Sequence, residues 1–566
     1  MNFSAGMDIR GNRKGRATPR GRQATDGDHA ALRAIVQPDG RQLDFGRRDL
    51  LIEYLHLIND AKGYLPAPLL TALAEVMRLP LAEVFETATF YAHFKVVDVD
   101  EVQPAPITLR VCDSLSCVMA GADALADKLD NLSPDVRVER APCMGQCDRA
   151  PCAVYGKNVI APAAVDTVLM AHVQKAVAPV LPNYKSLSAY RAQKNNSGGG
   201  YGVLAKLRSG AMTREALVAE IEAAGLRGMG GAGFPTARKW KALLEQPKPR
   251  LLAVNGDEGE PGTLKDRWFL ETDPHSFLEG MLIAAHLIEA ETAYIYLRDE
   301  YPALHLVIAE ELKALKAAGL LGDVKVELRR GAGAYICGEE SAMLESIEGK
   351  RGLPRQKPPF PFQVGLWGRP TLINNVETLY WIPQIADKGA AWWQSHGRNG
   401  GKGLRSYSVS GRVRNPGMKL APAGVTITEL IEEYCGGMLP GHKFTAYLPG
   451  GASGGILPAS LNNIPLDFGQ LEKYGCFIGS AAVIVLSDRD EVKDAALNLM
   501  KFFRHESCGQ CTPCRVGTEK AADLMSKPKW DEPLLRDLAQ VMRDASICGL
   551  GQAAPNPLLS VLERFK

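Results

Sequence analysis

Residues 225–240 read GLRGMGGAGFPTARKW. Gly228, Gly230, Gly231 and Gly233 stand directly ahead of a predicted helix that begins in TARKW. Glycines let the backbone approach a phosphate, and a helix N-terminus adds amide donors and a positive dipole end. An ordinary tight turn has the same composition, so the loop needs support from elsewhere. Residues 255–266, NGDEGEPGTLKD, crowd Asp257, Glu258 and Glu260 into one glycine-rich turn. Carboxylates so placed can bond an imide, a ribose or an amide; alone, they would equally make a solvated acidic loop. A third segment, 329–362, adds Tyr335, Glu339, Glu340, Lys357 and Phe360. Rings for stacking, a cation and carboxylates together suit a planar ring system and a dinucleotide.

Eight of the 12 cysteines fall into two spaced sets. Cys112 and Cys117 follow a predicted strand, ITLRVC, and Cys143 and Cys147 follow another, VRVERAPC. Two loops bearing thiolate pairs can converge on a two-iron cluster, two ligands to each iron. Structural zinc takes similar pairs and stands as the alternative. The second set is ESCGQCTPCRVG, with Cys508, Cys511 and Cys514 at successive three-residue steps, joined by Cys548 in ASICGLGQAA. Three ligands in a tight run plus one distant ligand suit a cubane four-iron cluster better than zinc. Cys152, Cys337, Cys435 and Cys476 lack partners at ligand spacing and are expected to be buried or structural.

Around these motifs the chain changes character several times. A basic arm carrying Arg10, Arg13, Lys14, Arg16, Arg20 and Arg22 is expected to be disordered over 1–29. Helical periodicity in DLLIEYLHLINDAKGYL and LLTALAEVMRLPLAEVFETATFYAHF predicts a helical bundle over 30–104. A compact α/β unit follows over 105–185, and the polar, glycine-rich QKNNSGGGYG predicts a flexible linker at 186–200. The glycine motifs lie in an α/β region over 201–400; a small β-rich domain spans 401–490, and a helical segment 491–566.

At 566 residues the chain is too long for one core, since single cores stop growing near roughly 250–300 residues. A net charge of +2 gives no argument for nucleic acid. No apolar run approaches the roughly 20 residues that span a bilayer, and the N-terminus lacks the apolar core of a secretory signal. A cytoplasmic protein without a membrane anchor is therefore expected.

Taken together, GLRGMGGAGFPT, NGDEGEPG, GAGAYICGEES and ESCGQCTPCR resemble two electron-input subunits of respiratory complex I joined in one chain. Residues from about 30 to 185 resemble the small two-iron subunit and those from about 195 to 560 its flavoprotein partner. The resemblance implies a multidomain α/β and α+β fold. Its parts would be a helical bundle with a thioredoxin-like [2Fe-2S] domain, a Rossmann-like FMN domain, a small β-grasp-like domain and a C-terminal helical bundle with a [4Fe-4S] cluster. It implies that Gly230, Gly231, Lys239, Asn255, Asp257, Tyr335, Gly338, Glu339, Asn374 and Asn375 contact FMN. Phe234, Glu260, Glu340, Lys357 and Phe360 would surround NAD. Cys112, Cys117, Cys143 and Cys147 would hold the two-iron cluster, and Cys508, Cys511, Cys514 and Cys548 the four-iron cluster. No side chain is assigned a catalytic proton; FMN would transfer the hydride. Met229 departs from the arginine common in that loop, where backbone amides do the work. Complex I usually keeps the two subunits separate. The fused layout most resembles the beta subunit of a soluble NAD-dependent formate dehydrogenase, implying a catalytic alpha subunit with a molybdenum or tungsten pterin and its own iron–sulfur clusters. The diaphorase subunit of an NAD-reducing hydrogenase, a complex I-type module, and a scaffold with a degenerate flavin site are the alternatives.

Overall fold

The computed structural model describes residues 21–37 and 44–565. The chain divides into two compact units, one ending at Pro104 and the other beginning at Ala105.

The first unit packs helices Asp26–Val36, Leu51–Lys62, Ala67–Met77 and Leu81–Phe90. Its core is Leu32, Leu51, Leu55, Ile58, Leu70, Leu73 and Val84, all fully buried. A short parallel pairing of β1 (Leu65–Pro66) with β2 (Val96–Val97) ties the connections. The basic arm expected over 1–29 ends earlier than its composition predicts. Thr25 caps a helix at Asp26 in a reciprocal box with Asp28, and Arg22 pairs with Asp98. Arg10, Arg13, Lys14, Arg16 and Arg20 lie outside the described residues.

The second unit carries three sheets. In the first, β3 (Ile107–Cys112) runs parallel to β4 (Val136–Ala141) and antiparallel to β5 (Ala153–Tyr155), which pairs with β6 (Asn158–Ile160). The second is wholly parallel, with β7 (Arg250–Gly256), β8 (Ala290–Leu297), β9 (Lys325–Arg330) and β10 (Thr371–Asn375) in the order β10-β7-β8-β9. Within β7, Leu251, Leu252, Ala253 and Val254 form an apolar run buried on both faces, as a parallel strand covered by helices requires. Helix Pro274–Ile288 is almost entirely buried and packs on Val376–Lys388. The third sheet runs β12-β11-β15-β13-β14, from β11 (Leu404–Gly411), β12 (Gly417–Pro422), β13 (Phe444–Leu448), β14 (Leu457–Pro458) and β15 (Ala482–Ser487). Helices Val492–Glu506, Thr512–Met525, Glu532–Ala545, Gly549–Ala553 and Asn556–Arg564 close the chain. No helix among the described residues is long and apolar enough to cross a membrane.

The stretch expected to be a flexible linker is a hydrogen-bonded turn. Asn195 Oδ1 accepts from Ser197 N and Gly199 N at 3.1 and 2.7 Å, and Asn196 bonds Asp387 through backbone and side chain. Its polar, glycine-rich composition reflects this local bonding rather than freedom.

Candidate functional site

In the parallel sheet, chain order reverses between β7 and β10, the point where open α/β sheets bind ligands beyond their strand ends. Asn255 stands near the end of β7, and Asn374 and Asn375 end β10. A cavity of about 1150 Å³ opens there, above the roughly 300–1,000 Å³ of a typical single-ligand pocket. Gly230, Gly231, Lys239, Asn255, Asp257, Tyr335, Gly338, Glu339, Asn374 and Asn375 all line it, as do Phe234, Glu260, Glu340, Lys357 and Phe360. Three segments far apart in sequence therefore share one site.

Local bonds fix its walls. Met229 N donates to Thr378 Oγ1 at 2.8 Å and Trp240 Nε1 to Asn374 Oδ1 at 3.0 Å, tying the glycine loop and its helix to the β10 side. A Cβ on Gly230 would stand 3.1 Å from that of Asn375, a contact tight enough that Asn375 would have to give by a few tenths of an ångström. Asn255 Nδ2 donates to Gly338 O at 2.8 Å, and Glu339 caps helix Glu340–Ile347 by accepting from Ser341 N and Ala342 N, both at 2.9 Å. Glu260 accepts from Ser453 N and Oγ at 2.8 and 2.6 Å and from the Tyr335 hydroxyl. Lys357 Nζ lies 2.7 Å from both Glu339 and Glu340. Burial works to lower its pKa, but the charges of Glu340 and Glu339 prevail and raise it. Burial pushes the Asp257 carboxyl well above the usual carboxylate range, and its Oδ2 has no hydrogen-bond partner among the described residues. A buried oxygen without a partner is costly unless a ligand supplies one. Amide donors, a polar atom awaiting a partner and space for a flat ring fit FMN.

Beneath this floor lies a polar cluster. Lys265 is 1% exposed and bonds Asp266 and Glu377, each at 3.0 Å, while Asn375 Nδ2 donates to Asp266 Oδ2 at 2.6 Å. The two carboxylates outweigh desolvation and raise the Lys265 pKa.

Cys112, Cys117, Cys143 and Cys147 are buried free thiols. Cys143 Sγ and Cys147 Sγ stand 3.3 Å apart; the hydrogen bond from Cys147 pulls the Cys143 thiol down, and the one to Cys143 raises Cys147. Cys117 is raised first by its hydrogen bond with Cys112 and further by the nearby Cys147, so both loops meet in one place. In the C-terminal helices Cys514 is buried, while Cys508, Cys511 and Cys548 are half-buried. Burial pushes Cys514 to about 11 and Cys548 to about 12; Cys511 and Cys508 contribute to the first shift and Cys508 to the second. Among the described residues no three His, Cys, Asp or Glu side chains converge on the point a single metal ion would occupy. Cluster ligands instead bind different irons. Cys152, Cys337, Cys435 and Cys476 are buried, as expected of thiols outside the two sets.

Arg267, Arg298 and Tyr301, all near the site, carry no signal in the sequence around them. Glu258 accepts from Asp266 N, Arg267 N and Tyr301 Oη at 2.7, 3.0 and 2.8 Å, and burial raises its pKa to about 7. Arg298 donates to the carbonyls of Glu258 and Cys143, and Arg267 reaches Asp148 and Gln146. Gly145, at φ +67°, leaves space for Tyr301, whose hydroxyl would overlap a Cβ there. The floor of the cavity and the Cys143–Cys147 loop are thus one bonded structure. Glu258, Gly145 and Gln146 lie in segments that the sequence motifs mark; Arg267, Arg298 and Tyr301 do not.

Four family models match in chain order: a thioredoxin-like [2Fe-2S] ferredoxin at 41–172, the Nuo51 FMN-binding domain at 221–384, an SLBB domain at 406–457, and the NADH-ubiquinone oxidoreductase-F iron–sulfur binding region at 494–566. The second of the NADH-quinone oxidoreductase F subunits of Rhizobium meliloti (strain 1021) is 42% identical over 401 residues, 68% of this chain and 94% of that protein. The chain belongs to the family of NADH-quinone oxidoreductase F subunits. The relative from Aquifex aeolicus (strain VF5) is 41% identical over 65% of this chain and 88% of its own length. A crystal structure of an NAD⁺-reducing [NiFe]-hydrogenase contains a chain 32% identical, with a TM-score of 0.80, covering 93% of this chain and 94% of that one. This family member is thus an NAD(H)-dependent FMN and iron–sulfur oxidoreductase carrying a [2Fe-2S] and a [4Fe-4S] cluster. Each cysteine set falls within an iron–sulfur match, which decides against zinc.

Proposed function

We propose that the chain is the NAD-linked electron-transfer module of a multi-subunit enzyme, a diaphorase of the kind found in an NAD-reducing hydrogenase. The observation that supports this owner is the single-chain likeness to the hydrogenase structure, which spans 93% of the present chain. The NADH-quinone oxidoreductase relatives match over about two thirds of it. The formate dehydrogenase expected from the sequence rests on resemblance alone, and a molybdenum- or tungsten-bearing alpha subunit is the second reading. Native purification followed by metal analysis tests the choice: co-purifying nickel supports the hydrogenase type, and molybdenum or tungsten overturns it in favour of formate dehydrogenase.

In this reading bound FMN supplies the conversion between hydride exchange with NAD and one-electron exchange with the clusters. The backbone of Gly230 and Gly231, with Lys239, holds its phosphate end, while Asn255, Asp257, Asn374 and Asn375 orient its polar edge. Tyr335, Gly338 and Glu339 complete that wall. Phe234 and Phe360, each 45% exposed, offer rings for stacking the nucleotide. Glu260, Glu340 and Lys357 fix its polar groups. The chain moves no proton for hydride transfer; its work is orientation and the exclusion of other geometries.

Two outcomes are expected. The isolated chain should release FMN on heating and reduce ferricyanide with NADH; release of FAD, or no flavin, would defeat the assignment. Glu260→Ala and Phe360→Ala should each raise KM for NADH about tenfold or more with flavin retained, the loss of one good polar or stacking contact. Flavin loss in either purified variant, read from the visible absorbance of the flavin, would show that the residue belongs to the flavin side.

A further inference from the structure

Five cationic side chains line the cavity: Arg238, Lys239, Lys265, Lys357 and Arg543. Lys265 is held by Asp266 and Glu377, Lys357 by Glu339 and Glu340, and Lys239 lies 3.9 Å from Glu340. Arg238 and Arg543 make no ion pair among the described residues. Of these two, Arg238 shares the stacking surface: it sits in the first turn of helix Thr236–Leu244, with its guanidinium carbon 5.9 Å from the centroid of the Phe234 ring. Arg238 and Phe234 are both exposed, so they stand where the cavity meets solvent. Arg543 belongs instead to helix Glu532–Ala545, just before Cys548.

A dinucleotide bound for hydride transfer must bring its nicotinamide to the flavin, which leaves the adenosine half projecting toward the opening. That half has a flat base and an anionic phosphate. An arginine beside an exposed aromatic ring matches both, since guanidinium is planar, always charged, weakly hydrated and able to bind phosphate through two nitrogens. We propose that Arg238 binds the adenosine half of NAD(H), gripping its phosphate beside the Phe234 ring, and so sets nucleotide affinity from outside the reacting centre.

The assignment rests on the nucleotide reading of the cavity, and the test separates the two. The full chain and its Arg238→Ala variant are assayed for ferricyanide reduction with NADH and with reduced nicotinamide mononucleotide, which lacks the adenosine half; ADP-ribose serves as competitive inhibitor. The variant should show KM for NADH raised about tenfold, the size expected when one charge-assisted hydrogen bond of ~1.5 kcal/mol is lost. ADP-ribose inhibition should weaken by a similar factor, KM for the mononucleotide should move less than about twofold, and Arg238→Lys should recover part of the loss because it keeps the charge. An unchanged KM for NADH, or equal rises for both substrates, would overturn the assignment while leaving the nucleotide site intact. A wild-type chain that oxidises neither substrate would overturn the nucleotide reading and this assignment with it.

Discussion

Cys514→Ala should reduce partner-driven NAD reduction by at least about a hundredfold in the native complex, because a cubane short of one thiolate no longer relays electrons. Much of the NADH-to-ferricyanide activity, which needs only flavin, should remain. Cys514 is the buried member of its set, bonded toward Ser507 at 3.3 Å and packed so closely on Gly551 that a Cβ there would lie 2.8 Å from its own. Removing it takes one corner from the cluster at the point of deepest burial. Cys143→Ala should cost less, because the path we propose runs from the partner through the four-iron cluster to FMN and leaves the two-iron centre to one side. Both proteins must first show wild-type flavin content and assembly, since losing a cluster can unfold its domain. With that control, full partner-driven turnover in the Cys514 variant would refute the path, and equal total loss in both variants would refute a peripheral two-iron centre.

Lys265→Met should lower the melting temperature sharply and release flavin. The ammonium is buried between Asp266 and Glu377, which are themselves 3% and 1% exposed. Replacing it leaves two carboxylates facing each other without a counter-charge, a change that typically costs about 3–5 kcal/mol. Asp266 also accepts from Asn375, so the damage reaches the cavity floor directly. The triple variant Lys265→Met with Asp266→Asn and Glu377→Gln removes the unpaired charges and should recover much of the loss. Thermal melts and flavin absorbance measure both. A single variant that melts within about 2 °C of wild type would mean the network contributes little, since ~1 kcal/mol already moves a melting point by roughly 2–4 °C in a domain of this size.

The glycine-rich and acidic segments and the cysteine spacings are legible in the sequence because each motif packs its chemistry into a short run. Gly230, Asp257 and Glu339 come from three such runs and meet at one cavity with Asn375, which only the family resemblance singles out. The long-range support is not legible. Arg298, Arg267 and Tyr301 act through side chains that reach loops more than a hundred residues away, and nothing near them in sequence marks that reach. The linker and the end of the basic arm depart from what composition predicts for a related reason. Asn, Ser, Gly and Arg suit solvent-exposed freedom, but they equally make capped turns and surface ion pairs, and composition cannot distinguish these. The owner proposed for the module is the least legible feature, because none of the residues lining the cavity bears a mark of a partner chain.

Arg298 holds the carbonyl of Glu258 with one nitrogen and that of Cys143 with another, while Tyr301 fills the space that Gly145 leaves. One guanidinium thus bolts the cysteine loop to the wall of the cavity, so neither can be repositioned alone: a displacement at one end is carried to the other through the same side chain.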